Sequence, residues 1–564
     1  MNNSEHLGNT LRMLAARGFA VIKYQRGGGR VFEGQLQCSK GAIPIRLELS
    51  DWDFTTYPRI RLTERPSFLP DQMAHVSVDG ELCYFARGSV VLDRYDPAVS
   101  VEQCLDQATI VLEKLATDPR YCASDIENEF IAHWLYGQGK SPWPVDLCSF
   151  NDGQKFAEYY LIDNPSGRRV VIATDHVGAR NFAQAIGGNI STRSACKCWM
   201  FRTSEPPVAP TGRMPATVKE LFNWLKKWDR LLYRDVQQVL EREPAYLEAK
   251  FATFAVDTPI GWLGFGFDHP HMYRLGYRNS PSRYKQFLHG RGGDTPIFRL
   301  DIADVRPEFI HSRNLAFGDL RNKRISLVGC GAIGGYLAQA LVRLGAGTGE
   351  KGELLLIDPD TLGPENLGRH YLGMGGLYQP KADALRIELN RQFPYANARS
   401  ASHGVNLSTK FFTGDLVIDA TGEEALSEKI NGYYCQQRKI NTAPVLYVWI
   451  KGNGECVQAL LVDSKRYGCL RCLKITNAQQ YRAERFPVLK RDPDRRNIGC
   501  RSFTPYAVSA PMHAATLATD IVIDWMQGNP SPRFRTRYIE NADMKIVKSQ
   551  NIAPLEGCPA CRHH

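Results

Sequence analysis

The run RISLVGCGAIGGYLAQALVRLG, residues 324–345, constrains this chain more than any other stretch. A short apolar segment ends on glycines at the spacing of Gly329, Gly331 and Gly334, and apolar residues then recur at helical intervals at Ile333, Leu337, Leu341 and Leu344. The segment ELLLID follows and ends on Asp358. Strand, glycine turn, helix and second strand in that order predict a right-handed βαβ unit. The glycines give a tight turn, a close approach of backbone to an anion, and contact of helix with strand, while the first N–H groups of the helix face a phosphate. Asp358 is placed to accept from ribose hydroxyls. Up to this point a hydride-transferring dehydrogenase fits equally well.

The next segment, DPDTLGPENLGRHYLG, together with Lys381 in YQPKADAL, separates the alternatives. Activating a carboxylate with ATP brings two anions together, which demands fixed positive charge and amide donors around the phosphates. Asn366, Arg369 and Lys381 supply them, and a dehydrogenase has no such need. The ordered set GCGAIGG, DPDTLGPENLGRH, PKADAL and DLVIDATGE resembles the adenylation domain of the ThiF/MoeB/HesA superfamily, which includes the ubiquitin-activating enzymes. That resemblance implies that Asn366, Arg369 and Lys381 contact ATP and that Asp360 lies near the phosphates. It also implies Mg2+. Where the superfamily has Asp-x-x-Asp, this chain has Asp419, Ala420, Thr421, Gly422 and Glu423, so Asp419 or Glu423 would hold the ion. Homodimerisation through this region is a further implication, with an arginine reaching across the dimer. Arg313 in HSRN is a candidate for it, and a plain surface arginine is the alternative.

Fifteen cysteines accompany an N-terminus, MNNSEHLGNT, that lacks the apolar core of a signal peptide, and no apolar run is long enough to cross a bilayer. A cytoplasmic protein is expected, whose thiols serve metal binding or chemistry rather than disulfides. Cys469 and Cys472 in GCLRCL and Cys558 and Cys561 in GCPAC form two Cys-x-x-Cys knuckles, and four thiolates make a closed structural shell for Zn2+. The superfamily carries zinc in the same relative place. Cys500, in NIGCRSFTPYAVSA, differs from these four: Arg501 is adjacent and a helix begins shortly after, which favours a thiolate and suits a nucleophile that takes an acyl group from an adenylate.

A chain of 564 residues exceeds one core, and three regions are expected, giving a multidomain α/β and α+β protein. Residues 1–140 read as α+β, with strands in FAVIKY, RVFEGQLQC and IPIRLELS and a closing helix in SVEQCLDQATIVLEKL. Their order, with Tyr57-Pro58, His75, Cys83 in GELCYF and a proline-led helix, resembles a ubiquitin-conjugating domain and implies that Cys83 is catalytic. Val76 and Ser77 follow His75 where the eukaryotic pattern has Pro and Asn, so the amide that would steady an oxyanion is missing. Residues 145–300 hold a strand in VVIATDHV, a proline-rich joint at Pro206, Pro207, Pro210 and Pro215, and a helix with the apolar stripe Leu221, Trp224, Leu225, Trp228, Leu231 and Leu232. No catalytic constellation is evident there, and a connecting or docking domain is expected. Residues 301–564 form the adenylation domain. The net charge of +11 is interleaved with acids and reads as a solvated surface rather than a nucleic-acid site.

Conjugating-like domain, linker and ThiF-type domain in this order resemble the bacterial fusion proteins of type II CBASS, the cyclic-oligonucleotide anti-phage systems. The resemblance implies that the C-terminus of a cGAS-like nucleotidyltransferase, or of a ubiquitin-like protein, is adenylated, carried as a thioester on Cys500 and then Cys83, and joined to an amine of a target protein or small molecule. Two other readings stay open: a sulfur-carrier adenylyltransferase with the first domain as accessory, and a nucleotide-binding scaffold without turnover.

Overall fold

The computed structural model describes residues 3–25, 29–77, 79–138, 143–151, 153–191, 196–210, 212–438, 442–476, 482–498, 501–539 and 544–562. Two compact units form, one of residues 1–183 and 187–304, the other of residues 305–564 and 184–186.

The first unit begins with an antiparallel meander, Ala20–Tyr24, Arg30–Cys38, Gly41–Leu49 and Arg59–Leu62, in sequence order across the sheet. Period-two alternation buries Ile43, Ile45, Leu47 and Leu49 and turns Arg46 outward. The helix Pro97–Thr117 starts where Asp96 accepts from Val99 N and Pro97 takes the first turn, and it buries Val101, Cys104, Leu105, Ala108, Leu112 and Leu115 at three- and four-residue spacing. Two shorter helices, Pro119–Asn128 and Phe130–Trp134, follow.

The remainder of this unit is a closed ring of seven strands. Gly167–Ala173, Val145–Leu147, Ile297–Asp304, Gly261–Asp268, Phe251–Thr258, Cys196–Arg202 and Phe156–Asn164 pair in turn, and the last pairs back to the first. Every strand sends side chains into the interior, among them Val145, Ala157, Ile172, Met200, Ala255, Trp262 and Leu300, so the ring is a filled barrel. Sequence periodicity exposes only one of these strands. Gly261–Asp268, GWLGFGFD, shows why: six consecutive residues are buried because both faces are covered, which erases the alternation.

The stripe Leu221 to Leu232 does not lie on one helix. Val218–Trp228 ends before Asp229, whose carboxylate accepts from the N–H groups of Leu231 and Leu232 and opens a second helix, Arg230–Arg242, leaving Leu231 61% exposed. Phe130 stacks on Trp224 with the two rings 8° from parallel, and Trp134 Nε1 donates to Gly264 O at 2.8 Å. Arg299, on a barrel strand, donates to Tyr136 O at 2.9 Å. Meander, helices and barrel thereby share one core, and the barrel fixes the segment that follows Phe130–Trp134.

The second unit is built on a seven-stranded sheet in the order Ala398–Ala401, Glu353–Ile357, Arg324–Val328, Leu416–Asp419, Val445–Lys451, Cys456–Val462, Phe534–Tyr538. The first five strands run parallel, Cys456–Val462 runs against them, and Phe534–Tyr538 is antiparallel to Cys456–Val462 in turn. Strand order reverses at Arg324–Val328, whose sequence successor lies on one side while Leu416–Asp419 lies on the other. A ligand crevice therefore opens at the carboxyl ends of these strands, where Gly329, Asp358 and the segment after Asp419 emerge. Among the described residues no helix is long and apolar enough to cross a membrane.

Candidate active sites

At the crevice, Gly329 has φ +90°, and a Cβ there would stand 2.8 Å from Thr421 N. A Cβ on Gly334 would stand 1.8 Å from Gly329 O, so only glycine lets the helix Ala332–Arg343 seat on the turn. Gly331 caps that helix and faces open space, which leaves the first helical N–H groups uncovered by any side chain at that position.

Asp358 is buried, and its two oxygens accept from Cys330 N at 2.7 Å and Asp360 N at 2.8 Å. It braces the turn from beneath, and burial pushes its carboxyl above the ordinary range. His370 braces it from the other side. Its Nε2 donates to Cys330 O at 2.8 Å while Nδ1 accepts from Leu372 N at 3.0 Å, partners that assign the neutral tautomer, and burial lowers its pKa. In sequence NLGRH points to its Asn and Arg alone; His370 joins them only in the fold, and its one signal is an imidazole adjoining an arginine in a short turn.

Asn366 closes that turn by accepting from Gly363 N at 3.0 Å, and the half-buried Arg369 places its guanidinium 5.0 Å from the Tyr506 ring centre. Lys381, first residue of the helix Lys381–Gln392, is buried and donates from Nζ to Asp360 at 2.9 Å, while its backbone N donates to Asp360 O at 2.8 Å. The charges of Lys381 and Arg369 both act on His370, which places the two cations beside the turn. Asp419 is also buried. One oxygen accepts from Thr421 N and Oγ1, the other from Ser427 Oγ at 2.6 Å, and burial raises its pKa. Glu423, at the start of the helix Glu424–Gln437, is exposed. Arg313 follows a short helix, exposed and 5.9 Å from the Phe309 ring.

Cys469, Cys472, Cys558 and Cys561 bring four sulfurs within 4.8 Å of one another. Three of the separations are 3.9, 3.9 and 3.6 Å. A tetrahedral zinc shell with bonds of about 2.3 Å has sulfur–sulfur edges of about 3.8 Å, so the donor set and spacing fit zinc. Asn431 Nδ2 and Leu555 N donate to Cys469 and Cys472, the outer hydrogen bonds expected around thiolate ligands. Cys500 lies outside the described residues. The chain resumes at Arg501–Phe503 and enters the helix Ser509–Met526.

In the first unit Cys83 sits on a short hairpin. Cys83 N donates to His75 O at 2.7 Å, Ser77 N to Glu81 O at 2.9 Å, and Val76 pairs with Leu82. Val76 and Leu82 point into the core, which turns His75, Glu81 and Cys83 toward the other side. There they line a cleft of about 480 Å³ with Tyr57, Glu129 and His133. Tyr57 holds the rim through hydrogen bonds with Val90 N and O. Cys83 is exposed, yet partial desolvation of its sulfur, then Glu129 and Glu81, push the thiol above its ordinary pKa. It rests as a thiol at neutral pH.

The opposite wall comes from two helices distant in sequence from Cys83. Tyr121, Asp125, Glu129 and His133 recur every four residues along Pro119–Asn128 and Phe130–Trp134 and make one polar stripe. His75 Nε2 and Asp125 Oδ2 are 2.7 Å apart, and Tyr121 lies beside that carboxylate.

Comparison with known proteins agrees with both units. The model of the ThiF family matches residues 308–560 and that of the prokaryotic E2 family B matches residues 10–139. The ATP-dependent ubiquitin transferase-like protein Cap2 of Pseudomonas aeruginosa is 30% identical over 572 residues, covering 100% of both chains. Its counterpart in Escherichia coli is 25% identical over 93% of this chain and 92% of its own. Among solved structures, Escherichia coli MccB with ATP aligns at 17% identity over 50% of this chain and 72% of its own, with a TM-score of 0.33. With a relative of that identity aligned from end to end, and with an adenylation crevice and a cysteine cleft in one polypeptide, the chain belongs to the family of ATP-dependent ubiquitin transferase-like Cap2 proteins and is an ATP-dependent conjugating enzyme.

Proposed function

We propose that the second unit adenylates the C-terminal carboxylate of a partner protein, a cGAS-like nucleotidyltransferase or a ubiquitin-like protein, and that the acyl group then passes through Cys500 and Cys83 to an amine in anti-phage defence. In the first step the carboxylate attacks the α-phosphorus of ATP and pyrophosphate leaves. Arg369 and Lys381 face the phosphates, Asp360 orients Lys381, and the N–H groups after Gly331 meet the anion. Asp358 keeps the turn in place beside the ribose. Mg2+ would neutralise phosphate charge; Asp419 is engaged with Thr421 and Ser427, so the exposed Glu423 has the freer lone pairs for it. The sulfur of Cys500 displaces AMP, the sulfur of Cys83 displaces Cys500, and an amine of a target protein or small molecule displaces Cys83 to give an amide. Cys469, Cys472, Cys558 and Cys561 would hold Zn2+ and with it would tie the segment at Cys558 and Cys561 to the turn Leu470–Leu473, outside these steps. The enzyme works in the cytoplasm as a homodimer through the second unit.

The observation that carries this reading is the exposed Cys83 in a formed cleft, on the chain that also carries the Lys381 crevice. A sulfur-carrier adenylyltransferase or a silent scaffold would leave that cleft without a task. Exchange of labelled pyrophosphate into ATP is expected only with a partner whose C-terminal carboxylate is free, and amidating that terminus should abolish it. Equal exchange with and without partner would refute the proposal.

A further inference from the structure

The aminolysis step has a proton problem that the second wall of the Cys83 cleft solves. A lysine side chain at neutral pH is an ammonium ion, with a reference pKa of about 10.4, and must lose protons before its nitrogen can form an amide. The departing Cys83 sulfur, whose thiol is held above its ordinary pKa, is a poor leaving group unless it gains a proton. One group that takes the proton from nitrogen and gives it to sulfur meets both demands.

We propose that His75, oriented by Asp125, is that group: a catalytic proton shuttle between the attacking amine and the Cys83 sulfur. His75 lies across the hairpin from Cys83, joined by the Cys83 N to His75 O bond of 2.7 Å, and both side chains line the same cleft. Its backbone is left-handed at φ +60°, an uncommon conformation for a residue with a Cβ and a frequent mark of functional sites. Nε2 is 2.7 Å from Asp125 Oδ2, so the carboxylate holds the proton on Nε2 and leaves Nδ1 as the base, without a partner among the described residues. His75 is half-buried, whereas His133 on the same cleft is buried and burial lowers its pKa, which suits it less for meeting an incoming amine. Glu129 and Glu81, the carboxylates that act on the Cys83 sulfur, also draw a cationic amine toward the thioester.

The step balances. The substrate ammonium gives one proton to His75 Nδ1, whose imidazolium Asp125 stabilises, and the freed nitrogen forms a bond to the thioester carbonyl carbon. The carbon–sulfur bond then breaks and the proton moves from His75 to Cys83. The nitrogen sheds its second proton to water, so ammonium and thioester become amide, thiol and one proton released to solvent. Asp125 acts through His75 and is a positioning residue. The inference rests on the reading that Cys83 carries the acyl group.

The test isolates discharge from loading. The full-length enzyme is charged with ATP and partner, ATP is removed, and the Cys83 adduct is chased in parallel with lysine and with hydroxylamine, a nucleophile already unprotonated at neutral pH. His75→Gln and Asp125→Asn are expected to slow lysine discharge by about 10²-fold or more and hydroxylamine discharge, which needs only the proton on sulfur, by about tenfold at most. Lysine discharge at the wild-type rate in His75→Gln would overturn the shuttle, as would equal loss with both nucleophiles, the mark of a purely structural role. A wild-type enzyme that never forms the Cys83 adduct would overturn the thioester reading itself, an outcome visible before any chase.

Discussion

Lys381→Ala is expected to lower partner-dependent pyrophosphate exchange by about 10²–10³-fold while the second unit stays folded. Lys381 is the one buried Lys or Arg of that unit among the described residues, fixed by both its backbone N and its ammonium to Asp360. A cation already fixed in place costs no reorganisation when pyrophosphate separates, which is why one such group carries so large a factor. Removing a buried cation often unfolds a protein because its counter-ion is left buried and unpaired. Here the Asp360 side chain is 69% exposed, so water takes the place of the ammonium. Exchange kinetics together with a thermal melt check both halves; an unchanged exchange rate would remove Lys381 from the chemistry.

Metal removal is expected to have the largest effect on stability. The two knuckles join the turn Leu470–Leu473 and the segment at Cys558 and Cys561 to a core containing Tyr434, Tyr447 and Val462. Without an ion, four sulfurs packed within 4.8 Å have little to hold them together. Structural zinc binds small peptides with roughly 10–16 kcal/mol, and because this unit keeps its own sheet the expected loss on chelation or Cys472→Ser is smaller, on the order of 5 kcal/mol. Metal analysis should give one zinc per chain, and the unfolding midpoint of the second unit should drop with chelator. A chelator-insensitive midpoint would show that the cluster is only packed thiols.

How far each site could be read from the sequence follows from how local its geometry is. The glycine turn, Lys381 and the cysteine knuckles depend on spacings of a few residues, so the chain order carries them. Asp358 was expected to face a ribose, and the structure adds that each of its oxygens already accepts a backbone N–H, which only the packed turn reveals. The Cys83 cleft is half legible. His75 and Cys83 stand close in sequence, but Asp125 meets His75 from 50 residues away, and a polar stripe on a helix reads as a solvated face until its partner is known. The barrel was hidden because covered strands lose alternation, and the apparent single helix was split because Asp229 caps as readily as it is solvated.

Mass spectrometry of the enzyme incubated with ATP, magnesium and its partner bears on the whole account most directly. An ATP-dependent adduct on Cys83, with the mass of the partner less one water, released by thiol reagents and missing in Cys83→Ala, is the predicted result. Amide product formed at full rate by Cys83→Ala, with no thiol-sensitive species on that residue in the wild type, would contradict it.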